Sequence, residues 1–254
     1  MQYQLNTDAS GALTSLAKII QQHLKQDLVA VYTYGSVLDS DFDARLSDLD
    51  ILVVTKQEIS EALLPQLEAI HVDFSAKNHE WSNRLDIAYI SKMSLQNIKN
   101  SYDAAIKWYE SPFVITKSQD HWIIDWYKVR NQSVTLYGES PKSVLQVITK
   151  EEFQEAVKKY ILGWTANMPA KTEQTDLAYV VLTMCRSLYA FQNGQNISKP
   201  KGAEWMIQKY PQFEELINKA ISLSRSSDEK TNLLMQRETI ELVKLVCDEV
   251  EKSQ

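Results

Sequence analysis

Carboxylates gather where a hydrophobic strand begins. In VAVYTYGSVLDSDFDARLSDLDILVVT, residues 29–55, two apolar runs bracket an acidic loop, and Asp48 and Asp50 stand at the head of the second run. Side chains alternate along a strand, so these two acids share one face while Leu49, Ile51 and Val53 take the other. Like charges held that close repel unless one is protonated or a cation lies between them. A hard divalent ion meets that need, and Mg²⁺ is commonly held by one or two carboxylates together with substrate phosphates. Gly35-Ser36 closes the first run. Glycine lets backbone approach a ligand, and a turn of free amides carrying a hydroxyl suits a phosphate. Asp86, in RLDIAYI, is a third acid beside an apolar alternation and faces away from Leu85, Ile87 and Tyr89. A phosphate-binding turn with three strand-borne acids equips a two-metal phosphoryl-transfer site. Two acids hold metal; the third shares a metal or takes the proton of an attacking hydroxyl.

Each piece alone is ordinary. Gly-Ser is a common turn, and an Asp-x-Asp at a strand start is more often a solvated loop end. The combined order is specific: strand, Gly-Ser, eleven residues, Asp-Leu-Asp, strand, then an acid on a later strand. No Walker A loop and no G-x-G-x-x-G offers a competing nucleotide site.

The elements that must position these residues change rhythm along the chain. Helical spacing of Leu13, Leu16, Ile19, Ile20 and Leu24 predicts a helix over Thr7 to Gln26. Strands are predicted over Leu28 to Tyr34, Leu49 to Thr55 and Arg84 to Ile90, with a helix from Ile59 to about Ile70 kinked at Pro65. From about residue 140 the pattern turns helical. TKEE at 149–152 is a capping box, and Phe153, Val157, Tyr160, Ile161 and Trp164 follow on one apolar face. A helix from Thr175 to Phe191 ends at Gly194, and further helical stretches cover 202–209, 211–225 and 229–251. The expectation is an α/β N-terminal domain, a mixed sheet flanked by helices, over 1–145, and an all-α helical bundle over 146–254.

Composition narrows the classes. A chain of 254 residues with 24% charged and 44% hydrophobic residues can bury a proper core. A net charge of −6 argues against a general nucleic-acid surface and is compatible with a cationic small molecule. Cys185 and Cys247 sit in apolar helical patterns and read as buried thiols of a reducing compartment, and the four histidines show no metal-ligand spacing. No signal peptide is evident, and no apolar run approaches the roughly 20 residues of a membrane span. A cytoplasmic monomer acting on small molecules, with neither nucleic acid nor membrane as partner, is expected.

The stretch YGSVLDSDFDARLSDLDILVV resembles the Gly-Ser…Asp-x-Asp motif of the DNA polymerase β-like nucleotidyltransferase superfamily. Over residues 10–225 the chain is similar to the bacterial streptomycin/spectinomycin adenylyltransferases, above all there and in DLAYVVLTMCRSLYAFQNGQNISKPKGAEWMI, residues 176–207. The resemblance implies ATP as donor, two Mg²⁺ ions, and an aminoglycoside-type hydroxyl as acceptor, with pyrophosphate released. It implies that Gly35 and Ser36 bind phosphate, that Asp48 and Asp50 bind metal, and that Asp86 lies where the family has its catalytic base. Arg186 and Lys199 would contact nucleotide phosphates, Lys199 being chosen over Lys201 by counting back from Trp205. Asp176 and Trp108 would bind the drug. Two departures stand out: Asp86 replaces the family's usual glutamate, leaving base and third metal ligand both open, and the loop between Ser36 and Asp48 is slightly longer. Another acceptor (a lincosamide, a metabolite or a protein side chain) and a catalytically inactive nucleotide-binding module are the alternatives.

Overall fold

The computed structural model describes residues 5–45, 47–108, 111–167, 174–224 and 233–252, and the chain divides into two compact units, Met1–Ile148 and Thr149–Gln254. The division falls three residues beyond the expected one, immediately before the capping box.

The first unit contains α1 (Thr7–Leu24), β1 (Leu28–Tyr34), β2 (Leu49–Thr55), α2 (Leu64–Lys77), β3 (Leu85–Ser91), α3 (Lys92–Gln96), β4 (Asp103–Trp108), β5 (Val114–Lys117), α4 (Trp122–Asn131), β6 (Val134–Gly138) and α5 (Pro141–Val144). Among the described residues the strands form one six-stranded sheet in the order β5-β4-β3-β2-β1-β6. β2 and β3 run parallel and the other neighbours antiparallel, so the sheet is mixed. The predicted alternation decides what covers it. Leu49, Ile51 and Val53 of β2 and Leu85, Ile87 and Tyr89 of β3 join one buried cluster with Leu13, Leu16 and Ile20 of α1 and Leu67, Ile70 and Phe74 of α2. Asn6 starts α1 by accepting the Asp8 amide at 2.9 Å.

Two expectations need correction. The helix placed over 59–70 starts at Leu64 and runs to Lys77, and Pro65 sits in its first turn. Proline belongs there, because the first amides of a helix have no partner within it, and it kinks nothing. No element is expected from the sequence between residues 91 and 140, where the structure has α3, β4, β5, α4 and β6. β4 carries consecutive alanines and β5 is four residues long, so neither shows a long β-branched alternation.

The second unit holds α6 (Lys150–Asn167), α7 (Gln174–Asn193), α8 (Lys199–Lys209), α9 (Glu214–Leu223) and α10 (Leu233–Glu251). Helix α7 is its axis: Leu177, Ala178, Val181, Met184, Cys185 and Leu188 are all buried, and α6, α8, α9 and α10 each pack on it. The capping box forms as predicted, with the Thr149 amide donating to Glu152 Oε2 at 2.9 Å and the Glu152 amide donating to Thr149 Oγ1 at 3.2 Å. Both cysteines are free and buried. Among the described residues no helix is long and apolar enough to cross a membrane.

The capping box makes a stability prediction. Thr149→Ala and Glu152→Ala should each cost about 1 kcal/mol in urea denaturation followed by circular dichroism. The double variant should lose less than the sum, because both bonds close one box; strict additivity would show that the two contacts act separately.

Candidate active site

The register of the sheet brings two of the predicted acids side by side. Asp50 of β2 pairs directly with Asp86 of β3 in the parallel ladder, and Asp50 also pairs with Tyr34, the last residue of β1. Directly paired residues point to the same face. Both carboxylates therefore lie on the face turned away from the α1–α2 cluster. Asp48 lies one residue before β2, half-buried, and acts electrostatically on both acids. The backbone of Trp108 pairs with Asp86 across β4, while its side chain lies outside the described residues.

The electrostatics follow from crowding. Burial first, then the Asp86 charge, pushes the Asp50 carboxyl up to about 8. Burial, then Asp125 and Asp48, pushes Asp86 up to about 7. Tyr34 is held well above the ordinary phenol range by burial and by the charges of Asp125, Asp50 and Asp86. Both acids owe their displacement first to lost solvent and then to neighbouring acids, Asp86 for Asp50 and Asp125 and Asp48 for Asp86, the condition that a cation relieves.

Two members of this cluster were not singled out in the sequence. Asp125 and Lys128, one turn apart on α4, form an ion pair at 2.9 Å, and the Lys128 side chain is only 12% exposed. Lys128 is the cation that lowers both Asp50 and Asp86. The only sequence signal was an acid and a lysine three apart on a helix, which ordinarily marks a solvated surface pair. Packing of α4 against β1 makes the difference here.

Two local devices fix the acids. Gly35 has φ +75°, and a Cβ there would stand 2.0 Å from Asp50 Oδ2. The glycine anticipated as a close approach to a ligand thus has a reason inside the protein: any side chain would displace the carboxylate. Ser36 follows it in the short turn Gly35–Leu38. The second device is Arg84, two residues before Asp86. Its guanidinium donates to the carbonyls of Ala44 at 2.7 Å, Ser47 at 3.4 Å and Glu80 at 3.1 Å, and lies 4.2 Å over the Trp81 ring. Phe42 stacks on that ring with centroids 6.4 Å apart. Arg84 therefore ties the loop that delivers Asp48 to the strand that carries Asp86.

Among the described residues no group of three or more acids, histidines or cysteines forms a ready-made metal cage. Mg²⁺ does not require one, since it commonly completes its shell with water and substrate phosphates. Hard carboxylate oxygens whose ionisation is suppressed by burial and then by neighbouring acids are donors of the right chemistry.

The helical unit carries the remaining predicted residues. Arg186 is half-buried on α7. Gly202 of α8 is pressed against it: a Cβ there would lie 2.8 Å from the Arg186 Cα and 2.9 Å from its nitrogen. That approach sets the start of α8, and Lys199 with it, beside α7. Lys199 Nζ sits 4.0 Å from the centroid of the Tyr179 ring, whereas Lys201 is exposed. Tyr179 in turn belongs to a ladder of rings with Trp164 at 6.4 Å and Tyr160 beyond it at 6.2 Å. Asp176 falls in the first turn of α7, its side chain outside the described residues.

Known proteins are similar to this chain in fold and domain content. Residues 13–108 match the nucleotidyltransferase domain, and residues 143–249 match the aminoglycoside adenylyltransferase, C-terminal domain. An aminoglycoside (3'') (9) adenylyltransferase of Shigella flexneri is 21% identical over 235 residues, 84% of either chain. A spectinomycin 9-adenylyltransferase of Campylobacter jejuni is 23% identical over 254 residues, 94% of this chain and 95% of that one. The crystal structure of a spectinomycin adenyltransferase from Enterococcus faecialis with ATP and spectinomycin superposes with a TM-score of 0.73 at 21% identity, covering 93% of this chain and 98% of that one, a likeness of fold. A nucleotidyltransferase domain followed by this particular C-terminal domain, in one chain and in this order, makes the protein a member of the aminoglycoside adenylyltransferase family.

Proposed function

We propose that the protein transfers an adenylyl group from ATP to a hydroxyl of an aminoglycoside-type antibiotic, streptomycin or spectinomycin, and releases pyrophosphate. The observation that carries this is the pairing of Asp50 with Asp86 on one sheet face, with Gly35 against Asp50, in a chain of this family. The named activities of the Shigella and Campylobacter relatives, and the ATP and spectinomycin in the Enterococcus structure, support the donor and acceptor classes.

In this reaction the acceptor oxygen forms a bond to the α-phosphorus of ATP. The bond from that phosphorus to the bridging oxygen breaks, and pyrophosphate leaves with the electron pair. Asp48 and Asp50 would hold Mg²⁺, two ions in all, with Asp86 able to share one. When bound, those ions would supply Lewis-acid polarisation of the phosphate oxygens and offset charge on the leaving group. Ser36 and the amides of its turn face the phosphates, and Arg186 and Lys199 supply positive charge to them. Asp86 takes the hydroxyl proton. A carboxyl held at about 7 can accept a proton at neutral pH without binding it too firmly to release it. Its direct pairing with Asp50 also favours a second reading, in which it is the third metal ligand.

Three predictions follow from these assignments. The first concerns pH. Asp50 and Asp86 titrate at about 8 and about 7 in the fold, against 3.8 ordinarily, so the folded chain binds more protons than the unfolded one between those limits. Stability without metal should therefore fall as pH rises from about 4 to about 8. Asp50→Asn should flatten that fall and raise Tm at pH 8.5 in EDTA by about 3 °C or more, while turnover drops about a hundredfold or more. Scanning calorimetry from pH 5 to 9 checks the first part, and a pyrophosphate-release assay checks the second. A variant with native turnover would remove Asp50 from the metal site.

Asp86 separates its own two roles. As base, Asp86→Asn should abolish transfer while MgATP still binds, and Asp86→Glu should keep substantial activity because it restores the family's usual reach. As metal ligand, Asp86→Asn should weaken MgATP too, and the longer glutamate should crowd the ion. Calorimetric titration with MgATP beside the rate assay decides between them, and an Asp86→Asn variant unchanged in both would exclude the residue from the site.

Acceptor choice rests on charge. Streptomycin carries two guanidinium groups and spectinomycin none, so an acid at 176 and an aromatic at 108 favour streptomycin. Asp176→Ala should raise KM for streptomycin at least about tenfold more than for spectinomycin. Equal losses on both drugs would assign Asp176 to helix structure instead.

A further inference from the structure

The carboxylate cluster already contains a cation. Lys128 projects from α4, which packs on β1, and Tyr34 at the end of β1 is the register partner of Asp50. Its ammonium is fixed by Asp125 at 2.9 Å with 12% of the side chain exposed. Such a lysine is well shielded from solvent, and its charge acts on neighbours far more strongly than a surface charge does. Its charge acts on Asp50 and Asp86 from the sheet and on Asp125 from its own helix, with Asp48 and the buried Tyr34 beside those acids. A lysine needed only to pair with Asp125 could do so on the outer surface of α4, as exposed acid–lysine pairs at this spacing usually do.

We propose that Lys128 is the resident counter-cation of the carboxylate cluster, and that it makes metal binding conditional on the nucleotide. This rests on the nucleotidyl-transfer reading of the same acids. In the free protein the ammonium offsets the mutual repulsion of the strand acids, and for the same reason it repels a free divalent ion. A divalent ion feels that repulsion with twice the charge that a competing proton does, so the lysine opposes metal more than it opposes protonation. When a triphosphate arrives, its negative charges offset the ammonium and bring their own metal. Free Mg²⁺ or Mn²⁺ is then held weakly, and metal with nucleotide is held well. The arrangement selects the metal–nucleotide complex and leaves the site unoccupied by free ions.

The test reads metal binding and needs no turnover. The full chain, stripped with EDTA and returned to metal-free buffer, is titrated calorimetrically with MnCl₂. The titration is done alone and with an ATP analogue whose α,β-bridge is a methylene, so that no adenylyl transfer can occur. Wild-type protein should bind Mn²⁺ weakly alone and more than about tenfold better with the analogue. Lys128→Met should tighten Mn²⁺ binding in the absence of analogue about fivefold or more and shrink the difference that the analogue makes. Lys128→Arg, which keeps the charge, should restore weak binding of the free ion. Asp125→Asn, which leaves the ammonium and removes one acid, should move affinity the other way, and it carries the test should Lys128→Met not fold. Unchanged or weaker Mn²⁺ binding in Lys128→Met, or tighter binding in Asp125→Asn, overturns the proposal. Wild-type protein that binds no Mn²⁺ even with the analogue overturns the nucleotidyl-transfer reading itself, a result distinct from the failure of Lys128's role.

Discussion

Mutual repulsion of acids at one end of the sheet is the constraint around which the first unit is organised. Parallel pairing of β2 and β3 sets Asp50 beside Asp86 and buries both among further acids, and burial first, then neighbouring carboxylates, raises the titration of each. A one-residue slip would relieve it, but it would also turn Leu49, Ile51 and Val53 out of the cluster they share with α1 and α2. Hydrophobic burial on one face therefore enforces an unfavourable arrangement on the other. The core holds charges together that would separate if free to do so.

The neighbouring features make sense as responses to that arrangement. Gly35 leaves room for the Asp50 carboxylate, where any side chain would push it away. Arg84 uses backbone carbonyls and the Trp81 ring to pin the acidic loop, so that Asp48 is delivered to the rim by fixed contacts that engage no carboxylate. Lys128, anchored by Asp125, adds positive charge without a metal. Preorganised charges of this kind are worth most where water is excluded, because little reorganisation remains to be done when the substrate arrives.

The helical unit has a charge arrangement of its own. Helix α8 begins with Lys199, although the positive end of a helix dipole disfavours a lysine there. An anion near that end would reverse the preference, and meanwhile the Tyr179 ring receives the ammonium. Gly202 lets α8 approach the Arg186 backbone closely, which brings two cations of the predicted set onto adjoining helices. The net charge of −6 conceals this local distribution, because an overall sum carries no information about where charges meet.

Much of this was determined by the sequence itself. The period-two alternation around Asp48, Asp50 and Asp86 and the Gly-Ser turn marked out the candidate site, because a strand assigns faces by counting alone. The capping box of Thr149 and Glu152 and the apolar face of α6 were legible for the same local reason. What tertiary structure alone decided depends on contacts between residues distant in the chain. Strand order and the Asp50–Asp86 register set which acids are neighbours, although 36 positions separate them. The start of α2 at Leu64, with Pro65 in its first turn, was likewise left open by the sequence, because a local proline signal reads equally as a kink or a beginning. Asp125 and Lys128 are the clearest case. On a helical net they form an ordinary surface pair, and only the packing of α4 on β1 turns them toward the acids. Periodicity tells which way a side chain points from its own element, but what it meets there is decided by the element packed opposite.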